Sequence, residues 1–521
     1  MEYPMKLDGA VLISVYNKTG VETLAAAFVG AGLEIYSTGG TAKYLREHDI
    51  PVTDVASVTE FPEILDGRVK TLHPRIFGGI LADQATNTHR SQLNEHDIQR
   101  VAAVVVNFYP FSQTVRREDA SFQDIIENID IGGPSMLRAA AKNHQSVLPV
   151  CHHSQYKPVI QALESGNIDA LRLPMAKTAF AYTMQYEQSI ATFFSEQTAT
   201  AQEDSFPVML PLNYSRGLSL RYGENPHQKG VYYELLGNEG IDFTRRQLQG
   251  KPLSYNNLMD LDAAVRIISE FEDTACVIIK HSNPCGFAYG DTPLQAYRTA
   301  VTTDPVSYFG GIVGFNRSVD EQTAQALNES FLECIVAPDF TSEAIKVFNS
   351  KKNLRIIRLR ADELLQSNYE IRPALNGYLM QERDPLITAI TESKVVTKRQ
   401  PTEKEYRAFD LAWRLVKHAK SNAIVFTNEK QALGVGAGQM SRVDSVKIAI
   451  RKASEAGLSL AGATMASDAY FPFPDGVEVA ADAGIQSIVQ PGGSIRDDKV
   501  IAAADDFGVA MIFTGKRHFK H

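Results

Sequence analysis

At 521 residues the chain exceeds what one hydrophobic core organises, and its length predicts about three domains. Hydrophobic residues make up 44% and charged residues 22%, an ordinary globular composition, and the formal net charge of -9 offers no basic face to nucleic acid. No apolar run approaches the roughly 18 residues of a membrane helix. The first residues lack a secretory core, and Cys151, Cys276, Cys285 and Cys334 lack the spacing of a zinc site or disulfide framework. A cytoplasmic enzyme with reduced thiols is expected, with no metal, membrane or nucleic-acid partner.

In chain order, residues 10–15 read as a buried strand, followed by the turn Tyr16-Asn17-Lys18-Thr19-Gly20 and a helix over 21–31. Residues 33–36 form a second strand. Ser37-Thr38-Gly39-Gly40 then leads into a helix over 41–48. Glycines let the backbone approach a ligand, hydroxyls donate, and a helix N-terminus favours an anion; a plain capped turn explains the same residues. After the turn at 65–67 comes Arg68-Val69-Lys70-Thr71-Leu72-His73-Pro74. Arg68 and Lys70 are expected to project together from an extended segment, as a phosphate or carboxamide clamp or as a solvated basic face. Residues 101–106 are wholly apolar, which predicts a strand buried on both faces, closed by Asn107-Phe108-Tyr109-Pro110. Asp130 and Ile131 stand ahead of a helix with Pro134 in its first turn and Lys142 near its end. Residues 146–150 are a last strand. This alternation argues for α/β architecture with a parallel sheet.

Residues 198–211 read as a linker, and α/β signals then resume to the end, with a weak break at 367–384. Arg221 can fork a phosphate and the adjacent Tyr222 can stack on a heterocycle. The apolar run 276–279 ends on Lys280-His281, followed by Ser282-Asn283-Pro284-Cys285-Gly286, read as a loop. A cation beside an imidazole suits a reaction in which a proton leaves nitrogen while charge builds on oxygen. Lys280-His281-Ser282-Asn283 is loosely matched by Lys420-Ser421-Asn422, and Phe309-Gly310-Gly311 by Pro491-Gly492-Gly493, hinting at duplication. Gly434-Val435-Gly436-Ala437-Gly438-Gln439 fails the dinucleotide fingerprint at its third glycine, so a loop aiming Gln439 and Arg442 at a ligand is preferred. Ser467 to Asp475 alternates aromatics with prolines, which suits a pocket for a flat ring or plain core packing. The basic end, 514–521, reads by default as a frayed tail.

Taken together, Ser37–Gly40, Arg68–Pro74, Ile129–Gly133 with Arg138–His144, Leu220–Gln228, Lys280–Gly286, Gly436–Arg442 and Ser467–Phe473 resemble the motifs of one family. That family is the bifunctional purine-biosynthesis enzymes joining AICAR formyltransferase to IMP cyclohydrolase, and the resemblance runs essentially end to end. It implies a cyclohydrolase domain with a methylglyoxal-synthase-like fold over 1–198. It implies a transformylase built of two cytidine-deaminase-like subdomains without zinc, 199–366 and 367–521. The family is homodimeric, with transformylase sites at the subunit interface, and uses 10-formyltetrahydrofolate as co-substrate without a catalytic metal.

By the same resemblance, the cyclohydrolase ligand would contact Tyr16, Asn17, Lys18, Ser37, Thr38, Gly39, Gly40, Arg68, Val69, Lys70, Thr71, Val106, Asn107, Asp130 and Ile131. Lys142 would transfer protons, supported by Asp130, Tyr109 and Lys70. In the transformylase, His281 would be the base and Lys280 the stabilising cation. Arg221, Tyr222, Gly310, Glu333, Asn422 and Arg517 would join His281 around AICAR, and Gln439, Tyr470, Asp475, Ser494 and Ile495 would contact folate. Tyr16-Asn17-Lys18 departs from the commoner Ser-Asp-Lys, and Glu333 stands where some members carry Asp. A nucleotide-dependent dehydrogenase and a non-catalytic nucleotide-binding regulator are the rival readings.

Overall fold

Apolar strands without polar alternation need cover on both faces, and helices supply it throughout this α/β chain. The computed structural model describes all residues except 1–6, 199–205, 207–209, 211, 213, 236–241, 364–368 and 385–388. The expected linker at 198–211 and the expected boundary at 366/367 therefore fall largely outside the described residues. The chain divides into two units, Met1–Asn213 and Tyr214–His521.

In the first unit, β1 (Ala10–Val15), β2 (Glu34–Ser37), β3 (Thr53–Asp54), β4 (Val101–Asn107) and β5 (Leu148–Val150) form one parallel sheet. Its order is β3-β2-β1-β4-β5. The polar two-residue β3 carries no apolar period, so the sequence pattern does not mark it. Helices α1 (Val21–Gly30), α2 (Gly39–Glu47), α3 (Gly132–Lys142) and α4 (Asp169–Thr198) cover the sheet. α2 starts two residues earlier than the pattern predicts, at Gly39, after extended Thr38 as its N-cap; Gly39 itself has a φ of 48°, which its missing Cβ permits. Strand order reverses between β1 and β4, where open sheets leave a crevice at their carboxyl ends. The register sets Val15 beside Asn107 at that crevice.

The second unit is a topological repeat. Its first sheet contains β6 (Gln247–Gln249), β7 (Ala275–Lys280), β8 (Asn283–Tyr289), β9 (Ile312–Phe315), β10 (Cys334–Ala337) and β11 (Arg355–Arg358), in the order β8-β7-β9-β10-β11-β6. Its second contains β12 (Lys394–Val395), β13 (Ile424–Thr427), β14 (Ala432–Gly436), β15 (Thr464–Ser467), β16 (Ser487–Gln490) and β17 (Ala510–Phe513), in the equivalent order β14-β13-β15-β16-β17-β12. Each repeat has a long helix before its hairpin, α5 (Tyr255–Ile268) and α6 (Glu403–Val416). Residues of both helices and both sheets share one core, including Phe287, Phe409 and Trp413. The short sequence matches are not the correspondence, however. Lys280–Asn283 lies in the β7–β8 hairpin, whereas Lys420–Asn422 precedes β13.

The expected loop after His281 is also corrected. Asn283–Tyr289 is strand β8, paired antiparallel with β7. Pro284 is tolerated because β8 is an edge strand, and a register shift between Pro284 and Gly286 absorbs the irregularity. The turn is instead two residues, His281 and Ser282, with φ of 52° and 60°.

Candidate active sites

In the first unit, the β1–β4 crevice is built around Asn107. Its Oδ1 accepts the backbone N–H groups of Tyr16 at 2.7 Å and Asn17 at 2.9 Å, and its Nδ2 donates to the Asn17 carbonyl at 2.9 Å. The side chain of one strand end thus shapes the loop leaving the other. Lys18 Nζ donates to the Tyr16 carbonyl at 3.4 Å. Exposed Tyr16 and Tyr109 meet edge to face, with ring centroids 5.6 Å apart. Val106 is buried, so only its backbone can face a ligand.

Beside this crevice, β2 runs into α2. The hydroxyl of buried Ser37 donates to the Ile13 carbonyl at 2.7 Å, and Thr38 makes no side-chain cap. The expectation that these hydroxyls serve a ligand is not met for Ser37. The backbone of exposed Gly39 and Gly40, at the start of α2, is what an anion would meet.

Arg68 and Lys70 do not project together from an extended segment. Arg68 is helical, following the 3-10 turn Leu65–Gly67, and pairs with Glu127. Val69 bridges Ile64. Lys70 instead lies in the field of Asp130. Burial raises the Asp130 carboxyl above its ordinary range; the Gly133 N–H, at 2.9 Å, and Lys70 oppose this. Buried Thr71 lies under Gly132, where an added Cβ would stand 2.9 Å from its Oγ1, and Ile131 is exposed.

Two tyrosines four apart on α4 fasten the Tyr109 and Asp130 segments, and the sequence reading missed both. Tyr182 Oη accepts the Phe108 N–H at 3.2 Å. Tyr186 Oη accepts the Asp130 N–H at 2.7 Å and donates to the Asn128 carbonyl at 3.1 Å. Burial pushes the Tyr186 phenol up to about 12, which keeps it a neutral donor. Their i, i+4 spacing, which sets both on one face of a helix, was the available signal.

Lys142 is not with this group. It is exposed at the last position of the 11-residue α3, whereas Asp130 precedes the first. At 1.5 Å per residue the two backbones are roughly 16 Å apart. Helix length therefore rules out direct contact between Lys142 and Asp130 in one subunit.

In the second unit, Lys280 ends β7 and its Nζ donates to the Phe309 carbonyl at 2.8 Å. β7 runs antiparallel to β9, pairing Ile279 with Ile312. Its carboxyl end therefore lies at the amino ends of β9 to β11, opposite to the edge that open parallel sheets use. Gly310, with φ of 69°, sits against the Lys280 ammonium. Glu333, at the start of β10, pairs with buried Arg355 at 2.7 Å. Arg355 also donates to Pro252, and neighbouring Leu253 accepts the Arg221 N–H at 3.0 Å. The Arg221 guanidinium lies over the Tyr222 ring, 5.3 Å from its centroid.

His281 is exposed on the turn. Asn283 Oδ1 accepts the Lys420 N–H at 2.8 Å, which joins this hairpin to the second repeat near Asn422. A cavity of about 200 Å³ opens at this seam, lined by Lys280, Asn283, Cys285, Asp304, Val435 and Lys452. Burial pushes the Cys285 thiol up to about 12, so it is no nucleophile at neutral pH.

Asn422 donates to the carbonyls of Gln439 at 2.8 Å and Met440 at 3.2 Å. Arg442 does not point at a ligand as expected. It is buried, pairs with the fully buried Asp468, and donates to Ser467 at 2.8 Å and Asn422 at 2.8 Å. Tyr470 follows β15, and Ser494 and Ile495 follow β16, at the carboxyl ends of parallel strands. Asp475 opens a helix, and its carboxylate accepts the Gly476 N–H at 2.8 Å. Ser494 Oγ accepts the Arg496 N–H at 3.1 Å, and Ile495 is wholly exposed.

The tail is docked rather than frayed. Buried His518 donates its backbone N–H to the Asp468 carbonyl at 2.9 Å and pairs with Asp384 at 2.5 Å. Lys520 binds the His418 carbonyl at 3.1 Å. Arg517 stays exposed, stacked on Phe519.

Among the described residues, no group of three His, Cys, Asp or Glu could hold a metal. None of their helices is long and apolar enough to cross a membrane. A family model of the AICARFT/IMPCHase bienzyme matches residues 140–452, and one of the MGS-like domain matches 20–135. The chain is 50% identical to the bifunctional purine biosynthesis protein PurH of Desulfitobacterium hafniense, over 99% of this chain and 100% of that protein. It is 50% identical to the protein of the same name from Halalkalibacterium halodurans, over 98% and 99%. A solved structure titled as that of ForH is 34% identical over 36% of this chain and 98% of its own, with a TM-score of 0.32.

Proposed function

The chain belongs to the AICARFT/IMPCHase bienzyme family and is a bifunctional AICAR formyltransferase and IMP cyclohydrolase of purine biosynthesis; from that premise we propose how its residues divide the two reactions. Formyl transfer uses Lys280 and His281, with 10-formyltetrahydrofolate as donor. The 5-amino group of AICAR is conjugated to its ring and is a weak nucleophile. His281 takes its proton as the nitrogen attacks the formyl carbon, and the Lys280 ammonium stabilises the oxyanion. Collapse of that intermediate expels tetrahydrofolate. Arg221, Tyr222, Gly310, Glu333, Asn422 and Arg517 hold AICAR, and Gln439, Tyr470, Asp475, Ser494 and Ile495 hold folate.

The observation that carries this reading is the hairpin itself. It carries a tethered Lys280 ammonium and, one residue on, the exposed His281 imidazole, and the bond between Asn283 and Lys420 joins it to the Asn422 segment. Lys280→Ala and His281→Ala should each lower formyl transfer on the order of a hundredfold. Transfer within threefold of wild type would remove the assignment.

Ring closure uses the β1–β4 crevice. The carboxamide nitrogen attacks the new formyl carbon and water leaves, with both partners on one molecule, so orientation supplies much of the acceleration. Asp130, Tyr109 and Lys70 handle protons, and the Gly39-Gly40 and Tyr16–Lys18 segments take the phosphate. Lys142 retains its proton-transfer role from a second copy of the chain, since its own Asp130 is out of reach. Mixing inactive Asp130→Asn and Lys142→Ala chains should restore ring closure by forming one intact site in the mixed dimer; no recovery after subunit exchange would refute it. The homodimer extends to the transformylase, where Met440, next to the folate contact Gln439, and Ile495, itself a folate contact, are wholly exposed. Three domains, 1–198, 199–366 and 367–521, and a cytoplasmic location complete the reading.

A further inference from the structure

The turn that carries His281 is held in a conformation its residues do not favour. His281 and Ser282 both have positive φ, 52° and 60°, and neither is glycine. Something must hold that geometry, and one side chain outside the hairpin does. Asp260, in the second turn of α5, accepts the Ser282 N–H on Oδ1 at 2.6 Å, and the Ser282 hydroxyl lies 3.4 Å from the same oxygen. Its carboxylate also faces His281.

Asp260 has no other structural task in view. The start of α5 is already capped by Ser254, reciprocally with Asn257. Two residues on, Asp262 makes the ordinary helical pair with Arg266 at 2.7 Å. Asp260, by contrast, forms no ion pair with a Lys or Arg among the described residues. A half-buried carboxylate without a cation, spent on the backbone of a strained turn, is a costly arrangement that such turns retain where geometry matters. Burial raises the Asp260 carboxyl, and the Ser282 N–H and His281 bring it down.

We propose that Asp260 is the positioning residue of formyl transfer: it locks the His281–Ser282 turn in its left-handed form so that the His281 imidazole is presented to the reacting amine. The inference rests on His281 being the base. Asp260 does not touch substrate; it acts through His281 alone.

That dependence gives the test, in steady-state formyl transfer by the full-length enzyme with AICAR and 10-formyltetrahydrofolate. Asp260→Ala should lower kcat tenfold or more while the KM for AICAR stays within about threefold. Asp260→Asn keeps an oxygen acceptor for the Ser282 N–H and should recover most of that loss. In a His281→Ala background, adding Asp260→Ala should change the rate less than twofold, because the group it positions is already gone. A merely structural Asp260 would add its full factor there, or raise KM along with lowering kcat, and either result overturns the proposal. Asp260→Ala within threefold of wild type, with His281→Ala collapsed, overturns it alone. His281→Ala at the wild-type rate overturns the base assignment first and this inference with it.

Discussion

Replacing Asn107 with Ala tests whether the β1–β4 crevice is preorganised by a single side chain. Asn107 makes three hydrogen bonds to the Tyr16-Asn17 backbone, at 2.7, 2.9 and 2.9 Å. Each such bond is worth about 0.5–1.5 kcal/mol net. The freed groups lie at the surface and regain water, so the sum stays near the low end, about 2 kcal/mol. At 1.36 kcal/mol per tenfold, kcat/KM for closing formamido-AICAR should fall about 30-fold. Most of it should appear in KM, because the loosened loop is the one assigned to the phosphate. Formyl transfer by the same protein is the internal control and should not change. Asn107→Asp keeps both acceptor bonds, loses the donor and sets a negative charge beside the phosphate, so it should be no better than Ala. Ring closure by Asn107→Ala within threefold of wild type would refute the reasoning.

Gly310→Ala should cost about 1–2 kcal/mol for its left-handed backbone. It should also cut formyl transfer tenfold or more, since the new methyl stands 3.3 Å from Lys280 Nζ and 3.4 Å from the Phe331 ring; steady-state rates and thermal melting check both. Asp130→Asn should abolish ring closure yet raise the melting temperature at neutral pH. A carboxyl whose folded pKa is raised makes the folded state lose stability as pH rises through that range, and the amide removes this cost. The gain should vanish below about pH 4, where Asp130 is protonated in both states. Arg442→Met leaves Asp468 buried without its cation and should destabilise the second unit by about 3–5 kcal/mol, read by chemical denaturation.

What was legible in the sequence was whatever repeats locally. Residues 101–106 announced a strand buried on both faces, and the strand ends carried the polar clusters that line the first crevice. The duplication was legible only as a hint, and its supporting matches were accidental, because topology is conserved by packing rather than by short words. The hairpin at His281 was misread because Asn-Pro normally ends a strand, and only the edge position of β8 makes Pro284 acceptable. Partners distant in sequence were invisible: Arg442 looked free beside glycines, yet Asp468 and Asn422 claim it. Lys142 and Asp130 were legible at opposite ends of one helix, and the 11 residues of α3 set their separation.

The two reactions are proposed to run at separate places in this chain, and His281→Ala divides them most directly. The account predicts that this protein, given AICAR and 10-formyltetrahydrofolate, makes almost no IMP, yet closes supplied formamido-AICAR at the wild-type rate. Loss of both reactions, or retention of formyl transfer, would contradict it.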